Sequence, residues 1–247
     1  MSVPALILRG FPYGESSRIL RFITPEHGLV GAIARGARRP RSRFSALLDP
    51  FGEGVALLSF RQGRDLQTLT AFDLTKSRRG LGRDLRRYGG ASVLAELLLR
   101  TATGAASSEL FERVGAALDA LEVAEGEAIE SEALGAAWTL VHLLGFAPEL
   151  AHCTRCGREV DRDEDADFDY AAGGLRCADC PGEEGTRLPA GARAALRAMV
   201  GGDRPTVARP YAHWILLERF LAYHVLDGAP MKSLAFLLDV RREEMVR

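Results

Sequence analysis

A chain of 247 residues, 47% apolar and 26% charged, has room for one large or two smaller packed domains and lies in the ordinary globular range. Its net charge of −1 conceals an asymmetry: residues 1–87 carry 16 Lys/Arg against 7 Asp/Glu, and residues 88–247 carry 16 against 26. Such a split points to a nucleic-acid or membrane face on the basic first third of the chain. The longest nearly apolar stretch, residues 134–147, is too short to cross a bilayer and reads as a core helix. Arg9 interrupts the short apolar run 3–8, so no secretory signal is expected. The expected location is the cytoplasm, with cysteines reduced unless a metal holds them.

Residues 3–72 read as five short strands. Leu6–Leu8 lie in the first and Ile19, Leu20, Phe22 and Ile23 in the second; residues 29–34, 55–60 and 66–72 make the others. Turn chemistry separates them at Pro12-Tyr13-Gly14, at Pro25-Glu26-His27-Gly28 and at Gln62-Gly63. Five strands in about seventy residues, with the longest insertion after the third, fit an oligonucleotide/oligosaccharide-binding (OB) barrel; an SH3-like barrel also fits the pattern.

The insertion begins with Arg35-Gly-Ala-Arg38-Arg39-Pro-Arg41-Ser-Arg43, five arginines in nine residues with no acid among them. Gly36, Pro40 and Ser42 argue for a loop. An unneutralised guanidinium cluster suits a phosphate backbone, although a solvated arginine loop gives the same pattern. Phe44, Leu47, Leu48 and Phe51 follow and are expected to pack against one end of the barrel. Phe11, Tyr13 and Phe44 fit either base-stacking platforms or rim packing, and Phe22 reads as core. A second basic stretch, Lys76, Arg78, Arg79, Arg83, Arg86 and Arg87, fits a solvated linker or an extension of the same electropositive path.

From Asp84 the apolar period becomes helical. Leu94, Leu97, Leu98 and Thr101 share a face; Ser107 and Ser108 offer caps to a helix carrying Phe111, Val114, Leu118 and Leu121. Ser131 is read as the cap of a third helix with Leu134, Trp138 and Val141, stopped at Gly145 and Pro148. Residues 190–200, 211–226 and 233–240 repeat the pattern, and both tryptophans read as core. His142, His213 and His224 are expected on or beside packing faces.

This helical part is interrupted by Cys153-Thr-Arg-Cys156 and Cys177-Ala-Asp-Cys180, two CxxC pairs with 20 residues between them that use every cysteine in the chain. Two such turns brought together give tetrahedral thiolate coordination of one Zn²⁺. Four protein ligands close the site, so it is expected to be structural. The residues between the pairs are acidic and would repel phosphate; the module more readily stiffens the helical part or meets a basic protein surface. No P-loop, dinucleotide-binding glycine pattern, GxSxG or HExxH appears, and the acids of the basic half are scattered. The chain therefore reads as a non-enzyme.

Gly10-Phe-Pro-Tyr-Gly-Glu15-Ser-Ser-Arg18-Ile-Leu, Thr24-Pro-Glu-His-Gly28, Ala34-Arg-Gly-Ala-Arg-Arg39 and Leu48-Asp-Pro-Phe51 together resemble the amino-terminal domain of the bacterial RecO family. Met231-Lys232-Ser233-Leu-Ala-Phe236-Leu resembles its carboxy-terminal helix. The resemblance implies an α+β protein: an OB barrel over 1–80, then a helical domain over 81–247 with a four-cysteine insertion at 151–185. It also implies a DNA repair and recombination mediator, cytoplasmic and associated with the nucleoid. Such a protein binds single- and double-stranded DNA, anneals complementary strands and acts with RecR to load RecA onto strands coated with single-stranded-DNA-binding protein, whose tail docks on the helical domain. Some members lack the cysteines, so zinc rests on the spacing in this chain. The expected DNA contacts are Arg35, Arg38, Arg39, Arg41, Arg43, Lys76, Arg78, Arg79, Arg86 and Arg87. The alternative is an RNA-binding or translation-associated OB-fold protein.

Overall fold

The computed structural model describes residues 1–61, 63–101, 106–182, 185–226 and 228–246; of the expected turn at Gln62-Gly63, Gln62 lies outside the described residues. Strands β1 (Ser2–Tyr13), β2 (Ser17–Thr24), β3 (Gly28–Ala34), β4 (Glu53–Ser59) and β5 (Leu66–Lys76) form a closed barrel in the order β1-β2-β3-β5-β4. All neighbours are antiparallel except β3 and β5, which run parallel. This closure is OB-like and replaces the SH3-like option. Val3, Ala5 and Ile7, Leu20 and Phe22, Val30, Ala32 and Ala34, and Ala56 and Leu58 fill the interior, two residues apart along each strand as the pleat requires; Leu69 and Phe72 join them three apart, across a register shift at Thr70 of β5. Gly14 and Gly28, both in the left-handed region, close the β1–β2 and β2–β3 hairpins.

One irregularity changes what β1 displays. Ile7 pairs with Phe22, but the next pair is Arg9 with Arg21, so Leu8 is the extra residue of a bulge. Up to Ile7 the odd-numbered residues point into the barrel. Beyond the bulge the phase is reversed: Gly10 opposes inward-facing Leu20, while Arg9, Phe11 and Tyr13 share the outer face with Arg21, Ile19 and Ser17.

Beyond the barrel come a 3-10 turn at Arg79–Arg83 and helices α1 (Leu85–Thr101), α2 (Ser108–Val123) and α3 (Ala128–Leu143). A small sheet of β6 (Ala166–Asp169), β7 (Gly174–Arg176) and β8 (Thr186–Leu188) follows, in the order β7-β6-β8, then α4 (Ala190–Val200), α5 (Pro210–His224) and α6 (Lys232–Val246). Packing divides the chain into one unit of Met1–Asp84 with Ala95–Val123 and another of Leu85–Leu94 with Ala124–Arg247. Helix α2 thus packs with the barrel, although it lies on the helical side of residue 80 in chain order. Its cap is as read: the Ser107 hydroxyl oxygen accepts from the Leu110 N–H at 3.1 Å.

In the second unit Trp138 and Trp214 are fully buried, with the Phe220 ring 5.4 Å from Trp138 and 6.1 Å from Phe168 of β6. Ser131 is not the cap of α3, which begins three residues earlier. Ile129 is buried in the core, and buried Glu130 accepts from the Trp214 indole N–H at 2.6 Å and pairs with Arg241 of α6 at 3.0 Å. Tertiary partners for the first turn outweigh the local serine signal. His213 is buried, and desolvation holds its pKa below the usual value; His142 instead is exposed in the last turn of α3.

Candidate nucleic-acid interface and cysteine cluster

The segment 36–52 is wound into successive turns. Arg39, Ser42 and Ser45 each donate a backbone N–H to the carbonyl three residues back, of Gly36, Arg39 and Ser42. Phe44 and Leu48 enter the barrel core, and Phe51 is also buried. Its N–H donates to Ile7 O at 2.7 Å, and Ile7 returns an N–H to Gly52 O at 2.9 Å. Apolar anchors therefore hold the loop from within while its charged positions stay outside. Phe44 is a core residue and not a platform for bases, as is Phe22.

Arg35, Arg38, Arg39, Arg41 and Arg43 are all exposed, and among the described residues none forms an ion pair with a carboxylate. Arg38 ties the loop to the β1–β2 hairpin: its N–H donates to Ser16 O at 2.8 Å and its guanidinium to Gly14 O at 3.3 Å. The Arg43 guanidinium lies 5.0 Å over the Phe44 ring. The loop is therefore anchored before any ligand arrives, and its guanidinium groups have no carboxylate partner among the described residues.

The second basic stretch is arranged differently. Arg78 has a side chain 0% exposed; it donates from Nε to Asp119 at 2.7 Å, from Nη2 to Glu53 at 2.6 Å and from Nη1 to Phe51 O at 2.9 Å. A guanidinium enclosed in this way has no face left for a phosphate, so the expectation of a DNA contact at Arg78 is corrected: it fastens β4 and the end of the arginine loop to α2. Lys76 pairs with the same Asp119 at 2.7 Å, and Arg79 with Asp49 at 3.3 Å while donating to Ala46 O. Arg87 donates to Ala124 O at 2.6 Å, and Arg86 is half-buried. Burial disfavours ionised Asp119, but the hydrogen bonds and charges of Arg78 and Lys76 outweigh it and hold its pKa below the usual 3.8.

Arg9 and Arg21, twelve positions apart in sequence, are direct cross-strand partners on the outer face. Their signal is the bulge at Leu8, which only strand pairing reveals.

The four cysteines converge. Their sulfur atoms all lie within 4.8 Å of one another, and no disulfide joins them. Cys156 Sγ and Cys177 Sγ are 3.8 Å apart. That is about the edge of a tetrahedron with metal–sulfur bonds of about 2.3 Å, so the donor set can hold a metal ion. Burial disfavours the Cys153 thiolate, yet backbone N–H groups of Cys177, Cys156 and Arg155 outweigh it and draw its pKa down to about 6. Cys180, sharing hydrogen bonds with Cys156 and Cys177, is pushed up to about 12. Four thiols this close ionise together only around a cation.

The acidic run beside the cluster is largely neutralised within the module. Arg158 grips Glu164 at 2.7 Å, buried Arg176 meets Asp167 at 3.1 Å and Asp169 at 3.5 Å, and Asp165 pairs with Arg187 at 3.2 Å. Asp165 also accepts the first N–H of α4, from Ala190, at 3.0 Å. These four acids are paired within the module.

A closed OB-like barrel followed, among the described residues, by six helices and a four-cysteine cluster defines a barrel-plus-helix protein with a metal-type site. The family model for the Recombination protein O N terminal matches residues 1–78, and that for the Recombination protein O C terminal matches residues 82–235. The chain is 36% identical over 229 residues to the DNA repair protein RecO of Rubrobacter xylanophilus, covering 91% of this chain and 90% of the relative. It is 32% identical over 245 residues to that of Nocardioides sp., with 94% and 97% covered, and 37% over 213 residues to that of Anaeromyxobacter dehalogenans, with 84% and 82% covered. The chain belongs to the RecO family. Among the described residues no helix is long and apolar enough to cross a membrane.

Proposed function

We propose that this protein is a DNA repair and recombination mediator whose barrel binds DNA through Arg35, Arg38, Arg39, Arg41 and Arg43. The observation that carries the reading is five exposed arginines on one anchored loop with no carboxylate partner among the described residues. Guanidinium forks match phosphate oxygens, and anchoring reduces the ordering cost of binding. Contacts confined to the backbone bind strands irrespective of sequence. Annealing follows physically: neutralised strands repel one another less, while their base edges stay free to pair. The finer role is to act with RecR in loading RecA onto strands coated by single-stranded-DNA-binding protein, and to receive that protein's tail. The cysteine cluster holds one structural Zn²⁺ in this reading, and the protein acts by binding and not by catalysis.

The test is salt dependence. With five phosphate contacts to a single strand, the slope of log affinity against log salt is about −3.5, at roughly 0.7 per contact. Glutamate at all five positions removes most of the affinity and flattens the slope; an unchanged slope would falsify the assignment. Competition between single-stranded DNA and RNA, with a strand-annealing assay, separates this role from RNA binding.

A further inference from the structure

We infer that the outer face of β1 and β2 carries a base-stacking platform made by Phe11 and Tyr13, so that the barrel holds a single strand by its bases as well as its phosphates. This rests on the reading of the arginine loop as a DNA contact and adds a second set of contacts to it.

The bulge at Leu8 comes first. Without it, the alternation that sends Val3, Ala5 and Ile7 inward would send Arg9, Phe11 and Tyr13 inward too. With it, these three face solvent, and Phe11 and Tyr13 are 40% and 53% exposed. A bulge that re-aims side chains beside a binding surface is a recurrent device in sheets. Here it exposes two large rings that the barrel would otherwise enclose.

The second observation is what surrounds the rings. Cross-strand pairing sets Phe11 opposite Ile19, and Ile19 opposite Ile33 of β3, so Phe11 stands on an apolar stripe that supports its ring. One row along, Arg9 opposes Arg21, and Arg21 opposes Gly31. A Cβ on Gly31 would lie 3.2 Å from Arg21 Nη1, so this guanidinium reaches over Gly31 of β3. At the other end, Tyr13 adjoins Gly14, whose carbonyl accepts from Arg38 of the arginine loop. Two exposed aromatics two residues apart on one strand face are therefore bracketed by cations on both sides. Positive charge interleaved with aromatic faces is the chemistry of single-strand binding, in which each ring takes a base and neighbouring guanidinium groups take the phosphates. A duplex keeps its bases stacked on one another and has none to offer.

The wild-type full-length protein, Phe11→Ala/Tyr13→Ala and Phe11→Leu/Tyr13→Leu are titrated with three probes: a 15-nucleotide oligo-dT, an abasic strand of the same length, and a 15-base-pair duplex. Wild type is expected to prefer oligo-dT over the abasic strand by roughly 5- to 150-fold per stacked base. Both double variants lose that preference while keeping their duplex affinity and the salt slope on the abasic strand. The leucine pair keeps apolar bulk over Ile19, so its loss of preference is not a folding effect, and Tyr13→Phe retains the preference. A variant that keeps the full oligo-dT preference overturns the platform and leaves the arginine loop standing. Wild type that binds none of the three probes overturns both readings.

Discussion

Arg78 and Arg39 are the same residue in opposite settings, one enclosed by carboxylates and the other exposed, which makes them a decisive pair for the proposed function. Replacing Arg78 with Met keeps the bulk of the stem and deletes the guanidinium. Lost with it are a 2.7 Å ion pair to Asp119, a 2.6 Å ion pair to Glu53 and a 2.9 Å hydrogen bond to Phe51 O. Breaking a fully enclosed pair costs about 3–5 kcal/mol, chiefly from the charge left behind. The side chains of Glu53 and Asp119 are 25% and 39% exposed and recover some hydration, so the expected loss is about 2–4 kcal/mol. Lysine at this position restores one charge but not the fork and recovers only part of it. Arg39→Met, on an exposed turn, changes stability by no more than about 0.5 kcal/mol and lowers the salt slope by about 0.7. Urea unfolding gives the stabilities, and hydrogen exchange localises the Arg78→Met loss to β4 and α2. If Arg78→Met is as stable as the parent, or lowers the salt slope as Arg39→Met does, the division of labour between the two arginines is wrong.

Protein purified without added metal should carry close to one equivalent of zinc, and Cys153→Ser should bind it weakly. Stripping the metal with a chelator should raise hydrogen exchange across 151–182 while β1–β5 stay protected, since metal binding is coupled to folding of the module. Exchange rising equally in the barrel would contradict this. Asp119 has a folded-state pKa below its ordinary value, so its contribution to stability is present above about pH 4 and is lost as pH falls through the lowered value. Urea midpoints measured between about pH 2 and pH 5 should therefore fall more steeply for wild type than for Asp119→Asn; parallel curves would count against the Arg78–Asp119 pair as a source of stability.

Local signals in the chain determined a good deal. Short apolar runs separated by turn residues at Gly14, Gly28 and Gly63 mark out β1–β5, since a strand in a packed barrel must bury apolar side chains and the chain must turn between strands. Two CxxC turns define the cysteine cluster, because each brings its own two sulfur atoms together. An acid-free run of arginines beside glycine and proline defines an exposed loop. Tertiary structure decided what has no local signature. Ser131 looks like a cap, yet α3 starts earlier because Glu130 has Trp214 and Arg241 to meet. Arg78 resembles Arg39 in sequence, but only the approach of Asp119, some forty residues later, encloses it. The outward turn of Arg9, Phe11 and Tyr13 depends on one extra residue in β1, which exists only relative to its partner strand: register is a property of two strands, and a single strand read alone does not contain it.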